Sequence, residues 1–97
     1  MTVSYPNTEL FINGKWRAAS SNDWLDVINP ATEESVGKVA VAQISDLDEA
    51  LDAANAAFKL WRNTPPFARY KIMRRAADLL RERAESVAKI MTIEQGK

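Results

Sequence analysis

The first part of the chain alternates short apolar runs with turn-forming residues, a pattern that predicts paired β-strands. The runs "LFI" and "KWR" flank Asn13 and Gly14, the dipeptide that best supplies both positive-φ residues of a type I′ turn. The runs "WLDVI" and "SVGKVAVA" flank a second break at Asn29 and Pro30, because proline disfavours a helical conformation in the residue before it. We therefore predict two consecutive β-hairpins within residues 10–42.

Two further features complete the picture of this half. Gly37 lies inside the last strand pattern, where a glycine indicates either a bulge or a close backbone approach. Residues 1–9 precede the first apolar run, and we assign them to a flexible arm.

The apolar period changes from two residues to three or four at Ser45. This residue is a natural N-cap, and acidic residues follow it in the first turn, where the helix dipole favours them. One apolar stripe then recurs at helical spacing: Leu47, Leu51, Ala54, Phe58 and Trp61. Because Pro65 and Pro66 cannot continue a helix, we predict the first helix over residues 45–62.

A second helical pattern extends over residues 66–96 and ends at Gly96, which suits a left-handed position just after a helix. Its apolar side carries Met73, Ala77, Leu80, Ala84, Val87 and Met91. Since the pattern is long for a globular helix, we predict a kink or a break near residues 83–85. The predicted fold class is α+β: two N-terminal β-hairpins followed by two to three α-helices.

Composition removes several kinds of chemistry. The chain has no cysteine and no histidine, so it offers no thiolate nucleophile, no sulfur-ligated zinc site and no imidazole base. Its 13 basic and 13 acidic residues balance, so no net field attracts nucleic acid or an anionic membrane. No apolar run reaches the roughly 18 residues of a membrane span, and the first residues lack a signal-peptide pattern. We expect a cytoplasmic protein with neither nucleic-acid nor membrane partners.

Two charge clusters are better explained by structure than by a site. The basic residues of the second helical pattern are interleaved with Asp78, Glu82 and Glu85, which favours a solvated or subunit-facing surface over a phosphate site. The acidic cluster near the first helix lacks the spacing and the glycine of a calcium loop. The residues alone thus identify no catalytic and no cofactor-binding side chain.

Four segments in order resemble the start of an aldehyde dehydrogenase of the NAD(P)-dependent superfamily. They read "LFINGKW", "VINPATEESVGKVAVA", "DLDEALDAANAAFKLW" and "RYKIMRRAADLLRERAESVAKIMTIEQGK". The resemblance covers residues 10–97, and the ending "MTIEQGK" is similar to the succinate-semialdehyde dehydrogenase branch. It implies that residues 1–97 are the N-terminal part of the α/β cofactor-binding domain of a much longer enzyme.

The resemblance also implies a reaction. Members of the family oxidise an aldehyde to a carboxylic acid with NAD or NADP, through a cysteine thiolate, a glutamate-activated water and an oxyanion-binding asparagine. All of these residues would lie beyond Lys97. We therefore expect the 97-residue chain alone to be inactive and to bind no nicotinamide cofactor.

One feature that the resemblance implies falls inside this segment. Several members hold a structural Na⁺ or K⁺ ion, and by position its ligands would be the backbone carbonyls of Val27 and Ile28 and the carboxylate of Glu94. Oxygen ligands suit a hard cation. The alternative is that Glu94 only hydrogen-bonds the strand backbone.

The apolar helix faces predict association. In the parent enzyme they would pack against the remainder of the chain, and in isolation we expect self-association, most simply as a dimer. The competing interpretation is a free-standing α+β module that binds a partner through the helix stripe. A longer reading frame that contains a cysteine would favour the enzyme.

Overall fold

The computed structural model describes residues 5–97, in which two separate antiparallel strand pairs precede three helices. The elements are β1 (Leu10–Ile12), β2 (Lys15–Arg17), β3 (Trp24–Ile28), β4 (Ser35–Ala40), α1 (Ile44–Arg62), α2 (Pro66–Glu82) and α3 (Ala84–Gln95). The predicted fold class is confirmed, and the long C-terminal helical pattern is divided at Arg83, which has φ −100° and ψ 10°.

The first hairpin turns at the predicted dipeptide. Asn13 and Gly14 have φ values of 52° and 77°, the two positive angles that a type I′ turn requires. Phe11 and Trp16 lie directly opposite each other on β1 and β2, with ring centroids 4.7 Å apart. A cross-strand aromatic pair of this kind stabilises the short hairpin.

The second hairpin contains a register shift beside its turn. Val27 pairs with Gly37 and Ile28 pairs with Ser35, so β4 carries one additional residue at this point. In the turn, the Asn29 side-chain oxygen accepts a hydrogen bond from the Ala31 amide at 2.9 Å. This local bond explains why the Asn-Pro dipeptide ends the strand.

The flexible arm predicted for residues 1–9 needs a correction in its described part. The Thr8 amide donates to the Lys38 carbonyl and the Ala40 amide donates to the Thr8 carbonyl, both at 2.8 Å. Thr8 thereby forms a parallel bridge with Val39 on β4. A strand edge offers unpaired backbone groups, and Thr8 uses them. Residues 1–4 lie outside the described residues.

The start of α1 also differs from the prediction. The N-cap is Gln43, in an extended conformation, and Ser45 lies inside the first turn. The Asp46 carboxylate reaches back and accepts a hydrogen bond from the Gln43 amide at 2.9 Å, as in a capping box. The Ser45 hydroxyl lies 3.1 Å from the Ser20 hydroxyl instead of capping the helix.

Very little apolar surface is enclosed. Among residues 5–97, Ala19 is the one buried hydrophobic residue, while Ile44 and Leu60 are 79% and 76% exposed. The radius of gyration is 16.9 Å, whereas a compact domain of about 100 residues has about 13 Å. The chain is therefore an open frame whose helices present their apolar faces to the surroundings.

Asp46 is the most buried residue of the frame, with 1% of its surface exposed. Its carboxylate accepts hydrogen bonds from Arg17 Nη1 at 2.9 Å, from the Ser20 amide and hydroxyl at 3.1 Å, and from the Gln43 amide. The bonds from the Gln43 and Ser20 amides, with Arg17 adding to them, lower the pKa of Asp46 to about 2. The first hairpin is thus joined to α1 through this buried, ionised carboxylate, and Arg17 Nη2 adds an exposed bond to Glu49 at 2.7 Å.

We predict that Asp46→Asn lowers the melting temperature at neutral pH. An amide cannot replace the anion toward four donor atoms, so the hairpin loses its buried attachment to α1 and keeps only the exposed bond between Arg17 and Glu49. Because the folded pKa of Asp46 is depressed, the stability that its ionisation contributes is fully present above the ordinary value of 3.8 and is lost as the pH falls toward about 2. The difference in melting temperature between wild type and variant should therefore narrow over that interval.

The matched control is Asp48→Asn, on the exposed side of the same helical turn. Thermal melts of the three proteins from neutral pH to about pH 2 make the comparison. A gap between wild type and Asp46→Asn that stays constant across this range would contradict the role of the ionised carboxylate.

Candidate cation site at the end of α3

The end of α3 has the conformation that its sequence predicts. Gly96 has φ 69° and ψ 29°, in the left-handed region, and the Lys97 amide donates to the Thr92 carbonyl at 3.1 Å. This six-residue bond satisfies one of the helix-terminal carbonyls and is typical of a Schellman ending. The prediction of a left-handed glycine after the helix is confirmed.

The helix end lies directly against the turn that follows β3. A Cβ atom on Gly96 would lie 2.7 Å from the Ala31 amide nitrogen and 3.0 Å from Pro30 Cδ. Only a glycine allows this approach, because such a Cβ contact is closer than van der Waals packing permits. The contact brings the last turn of α3, which carries Glu94, to the end of the hairpin that carries Val27 and Ile28.

Glu94 is held by a residue near the start of the chain. The Tyr5 hydroxyl donates to Glu94 Oε2 at 2.8 Å, across 89 positions of sequence. This hydrogen bond to a carboxylate favours the protonated phenol and raises the pKa of Tyr5. An ionised carboxylate has about four acceptor positions, and Tyr5 is the one donor to Glu94 within residues 5–97, so the carboxylate keeps capacity for a cation.

Sequence reasoning missed Tyr5, although one signal pointed toward it. A Cβ atom on Gly37 would lie 2.5 Å from Tyr5 Cδ1, so the tyrosine ring rests on a strand position without a side chain. The sequence predicted a bulge or a close approach at Gly37, and the structure has both, because the register shift lies next to it. What the sequence could not supply was the identity of the approaching residue.

Val27 and Ile28 occupy the last two positions of β3, on either side of the register shift. Val27 is half-buried and the Ile28 side chain is 46% exposed. Within residues 5–97 no group of three or more histidine, cysteine, aspartate or glutamate side chains is placed to hold a metal ion. The ligands that the family resemblance implies are two backbone carbonyls and one carboxylate, a set of hard oxygen ligands with a single negative charge.

Comparison with known proteins places the chain in a family. The model of the Aldehyde dehydrogenase family matches residues 16–97. The chain belongs to the aldehyde dehydrogenase family, as the resemblance of its four segments indicated. No helix within residues 5–97 has both the length and the apolar character needed to cross a membrane.

Sequence relatives come from more than one branch of the family. The human mitochondrial methylmalonate-semialdehyde/malonate-semialdehyde dehydrogenase [acylating] is 37% identical over 94 residues, which are 97% of this chain and 18% of the relative. The succinate-semialdehyde dehydrogenase [NADP(+)] 2 of Schizosaccharomyces pombe is 36% identical over 91 residues, which are 94% of this chain and 18% of the relative. These identities are too similar to select the predicted succinate-semialdehyde branch.

Solved structures share the fold. Aldehyde dehydrogenase C of Pseudomonas syringae, a mutant in complex with NAD⁺ and octanal, matches with a TM-score of 0.88 and 39% identity, over 92% of this chain and 18% of that one. The succinate-semialdehyde dehydrogenase of Burkholderia pseudomallei matches with a TM-score of 0.85 and 35% identity, over 89% of this chain and 18% of that protein. The chain thus spans about a fifth of the length of the proteins it matches.

Two glycines with similar backbone angles provide a test of the contact at the helix end. Gly14 and Gly96 have φ values of 77° and 69°, but a Cβ on Gly14 would meet nothing within 4 Å. We predict that Gly14→Ala costs only the left-handed penalty of about 1–2 kcal/mol. Gly96→Ala should cost more, because the methyl group also collides with Ala31.

Chemical denaturation of the two variants and the wild type measures both losses in the free energy of unfolding. Equal losses would mean that the end of α3 does not press on the turn after β3.

Proposed function

We propose that the chain is the N-terminal part of an enzyme that oxidises an aldehyde to a carboxylic acid with NAD⁺ or NADP⁺. The observation that carries the proposal is the family match over residues 16–97, combined with a span of only 18% of the length of the relatives. The substrate we propose is a semialdehyde, an aldehyde that also bears a carboxylate. Succinate, malonate and methylmalonate semialdehydes are the candidates, since relatives named for each of them match this chain.

In this proposal the residues beyond Lys97 perform the chemistry. A cysteine thiolate would attack the aldehyde carbon, and a glutamate would activate the water that releases the acid. The nicotinamide cofactor accepts the hydride when it is bound. The contribution of residues 5–97 is structural: two hairpins and three helices whose exposed apolar faces pack against the remainder of the enzyme.

The activity test compares two proteins prepared in parallel. The longer enzyme, encoded by the reading frame continuing past Lys97, should reduce NAD⁺ or NADP⁺ in the presence of succinate semialdehyde. The 97-residue chain should show no turnover, because it has neither a thiol nor an imidazole. Formation of the reduced nicotinamide is followed by absorbance, with malonate semialdehyde as a second substrate and with or without coenzyme A.

Two results would contradict the proposal. One is turnover by the 97-residue chain that survives removal of contaminating enzymes. The other is a longer enzyme that oxidises none of the semialdehydes with either nucleotide.

We also propose a structural Na⁺ or K⁺ ion at the end of α3, bound by the carbonyls of Val27 and Ile28 and by the carboxylate of Glu94. Two observations support it: the helix end touches the turn after β3, and Tyr5 is the one hydrogen-bond donor to Glu94 within residues 5–97. The proposed ligands are all oxygen atoms, as a hard cation prefers. A monovalent cation balances the one carboxylate. Its effect would be to tie β3 to α3, with no part in the reaction.

Glu94→Gln tests the ion, and Tyr5→Phe is its matched control. The glutamine can still accept the Tyr5 hydrogen bond but carries no charge, so the variant should melt at a lower temperature and lose any dependence on Na⁺ or K⁺. Tyr5→Phe removes one hydrogen bond, worth about 0.5–1.5 kcal/mol, and should keep the cation dependence. Melting curves in sodium, potassium and tetramethylammonium chloride decide. If the melting curve of each of the three proteins were the same in all three salts, the ion would be excluded.

For the isolated chain we propose self-association through the helix stripe. Leu47, Phe58 and Met73 are each more than half exposed, and a second copy offers the same apolar surface. Sedimentation at micromolar concentration would show a dimer, and a folded monomer would contradict this part of the proposal.

A further inference from the structure

An open pocket lies at the corner between α1 and α2. It has a volume of about 520 Å³ and is lined by Trp61, Pro66, Arg69, Tyr70, Met73 and Arg74. The aromatic rings and the methionine give it apolar walls, and Arg69 and Arg74 bring guanidinium groups to it. A pocket that combines apolar walls with a few convergent polar groups is the usual form of a binding site.

Arg69 is the unusual member of this set. Its Nε atom is buried, and it has no hydrogen-bond partner within residues 5–97. No acidic residue is within reach on the same helix, because Pro65, Pro66, Ile72 and Met73 occupy the positions three and four residues away. A buried donor without an acceptor is costly, and the described residues supply no acceptor for this Nε–H group.

The other arginines of α2 differ in this respect. Arg74 lies 3.3 Å from the Asp78 carboxylate, and Arg75 lies 3.5 Å from Glu82. Their charges are balanced by carboxylates of the same helix. The first turn of α2 contains no acidic residue and no capping side chain, so the positive end of the helix dipole adds to the field around Arg69.

The chemistry of the pocket selects a carboxylate. A planar guanidinium matches a carboxylate with two parallel hydrogen bonds, and the apolar walls accommodate the short aliphatic stem of an aspartate or a glutamate. Met73 is 65% exposed and Tyr70 is 56% exposed, so the walls also need to be covered. A free anion would satisfy the charge but would leave these side chains in water.

We propose that this pocket is a docking site for an acidic side chain of the polypeptide beyond Lys97. The inference rests on the proposed function, in which the chain continues into a longer enzyme. The matched relatives have about five times the length of this chain, so most of their chain lies outside the segment that matches. A segment of the same polypeptide reaches the pocket at a high effective concentration, which favours it over a second copy.

The test uses the longer enzyme with Arg69→Lys and a carbodiimide, which joins an amine to a carboxylate in direct contact without a spacer. Digestion and mass spectrometry should find the lysine introduced at position 69 linked to an aspartate or glutamate beyond residue 97. The matched control is Arg75→Lys, on the same helix but paired with Glu82, which should give no link beyond residue 97. In addition, Arg69→Met should lower the melting temperature of the longer enzyme, whereas Arg75→Met should leave it unchanged.

Three results would overturn the inference: a link from position 69 to a carboxylate within residues 5–97, a link to a second copy in a mixture of isotope-labelled and unlabelled enzyme, or no link at all. The outcome is separable from that of the activity test. A link beyond residue 97 in an enzyme that oxidises no semialdehyde would refute the proposed reaction alone. An active enzyme without the link would refute the docking site alone.

Discussion

The hydrogen bonds to the Asp46 carboxylate determine how the first half of the structure meets the helices. The carboxylate is almost fully buried, and its donors come from the end of β2, from the following loop and from the start of α1. The one buried hydrophobic residue within residues 5–97, Ala19, is adjacent in sequence to Ser20, one of these donors. A buried charge is tolerated only when its partners are all in place, so this cluster specifies a single arrangement of hairpin and helix. The burial of apolar side chains, which normally fixes how the elements of a domain are arranged, contributes little here.

A second junction closes the other end of the frame. The left-handed Gly96 lets α3 touch Pro30 and Ala31, and Tyr5 connects Glu94 to the strand position at Gly37. Between the two junctions, α1 and α2 have exposed apolar faces. The two helices are thus held by polar contacts near their ends, while their apolar faces are uncovered. This arrangement is typical of one layer of a larger domain, because a helix buries its apolar face against another layer. Family membership and packing therefore lead to the same description.

The sequence predicted the local features better than the long-range ones. The Asn13-Gly14 turn, the change of period before α1 and the left-handed Gly96 all follow from backbone preferences within a few residues. The prediction of Ser45 as the N-cap was wrong, because the Asp46 carboxylate accepts hydrogen bonds from both Gln43 and Ser20. A capping rule based on neighbouring residues does not include a partner as distant in sequence as Ser20. The contact between Tyr5 and Glu94, 89 residues apart, has no periodic signature at all. The junction of α3 with the hairpin was expected only from the resemblance to a family, and periodicity alone would not have found it.

The distribution of charge explains how such a frame could join a larger protein without long-range attraction. Arg17 is paired with Asp46 and Glu49, and the helical ion pairs of α2 and α3 each join residues of the same helix. The helical pairs are largely exposed and contribute little stability, but they cancel the field at a distance. Arg69 is the one arginine of α2 outside these pairs, and its buried Nε has no acceptor within residues 5–97. Apolar faces supply most of the free energy of association but little orientation, because hydrophobic contact is not directional. In the docking that we propose, Arg69 would supply the orientation, because a misplaced partner would leave its buried Nε without an acceptor.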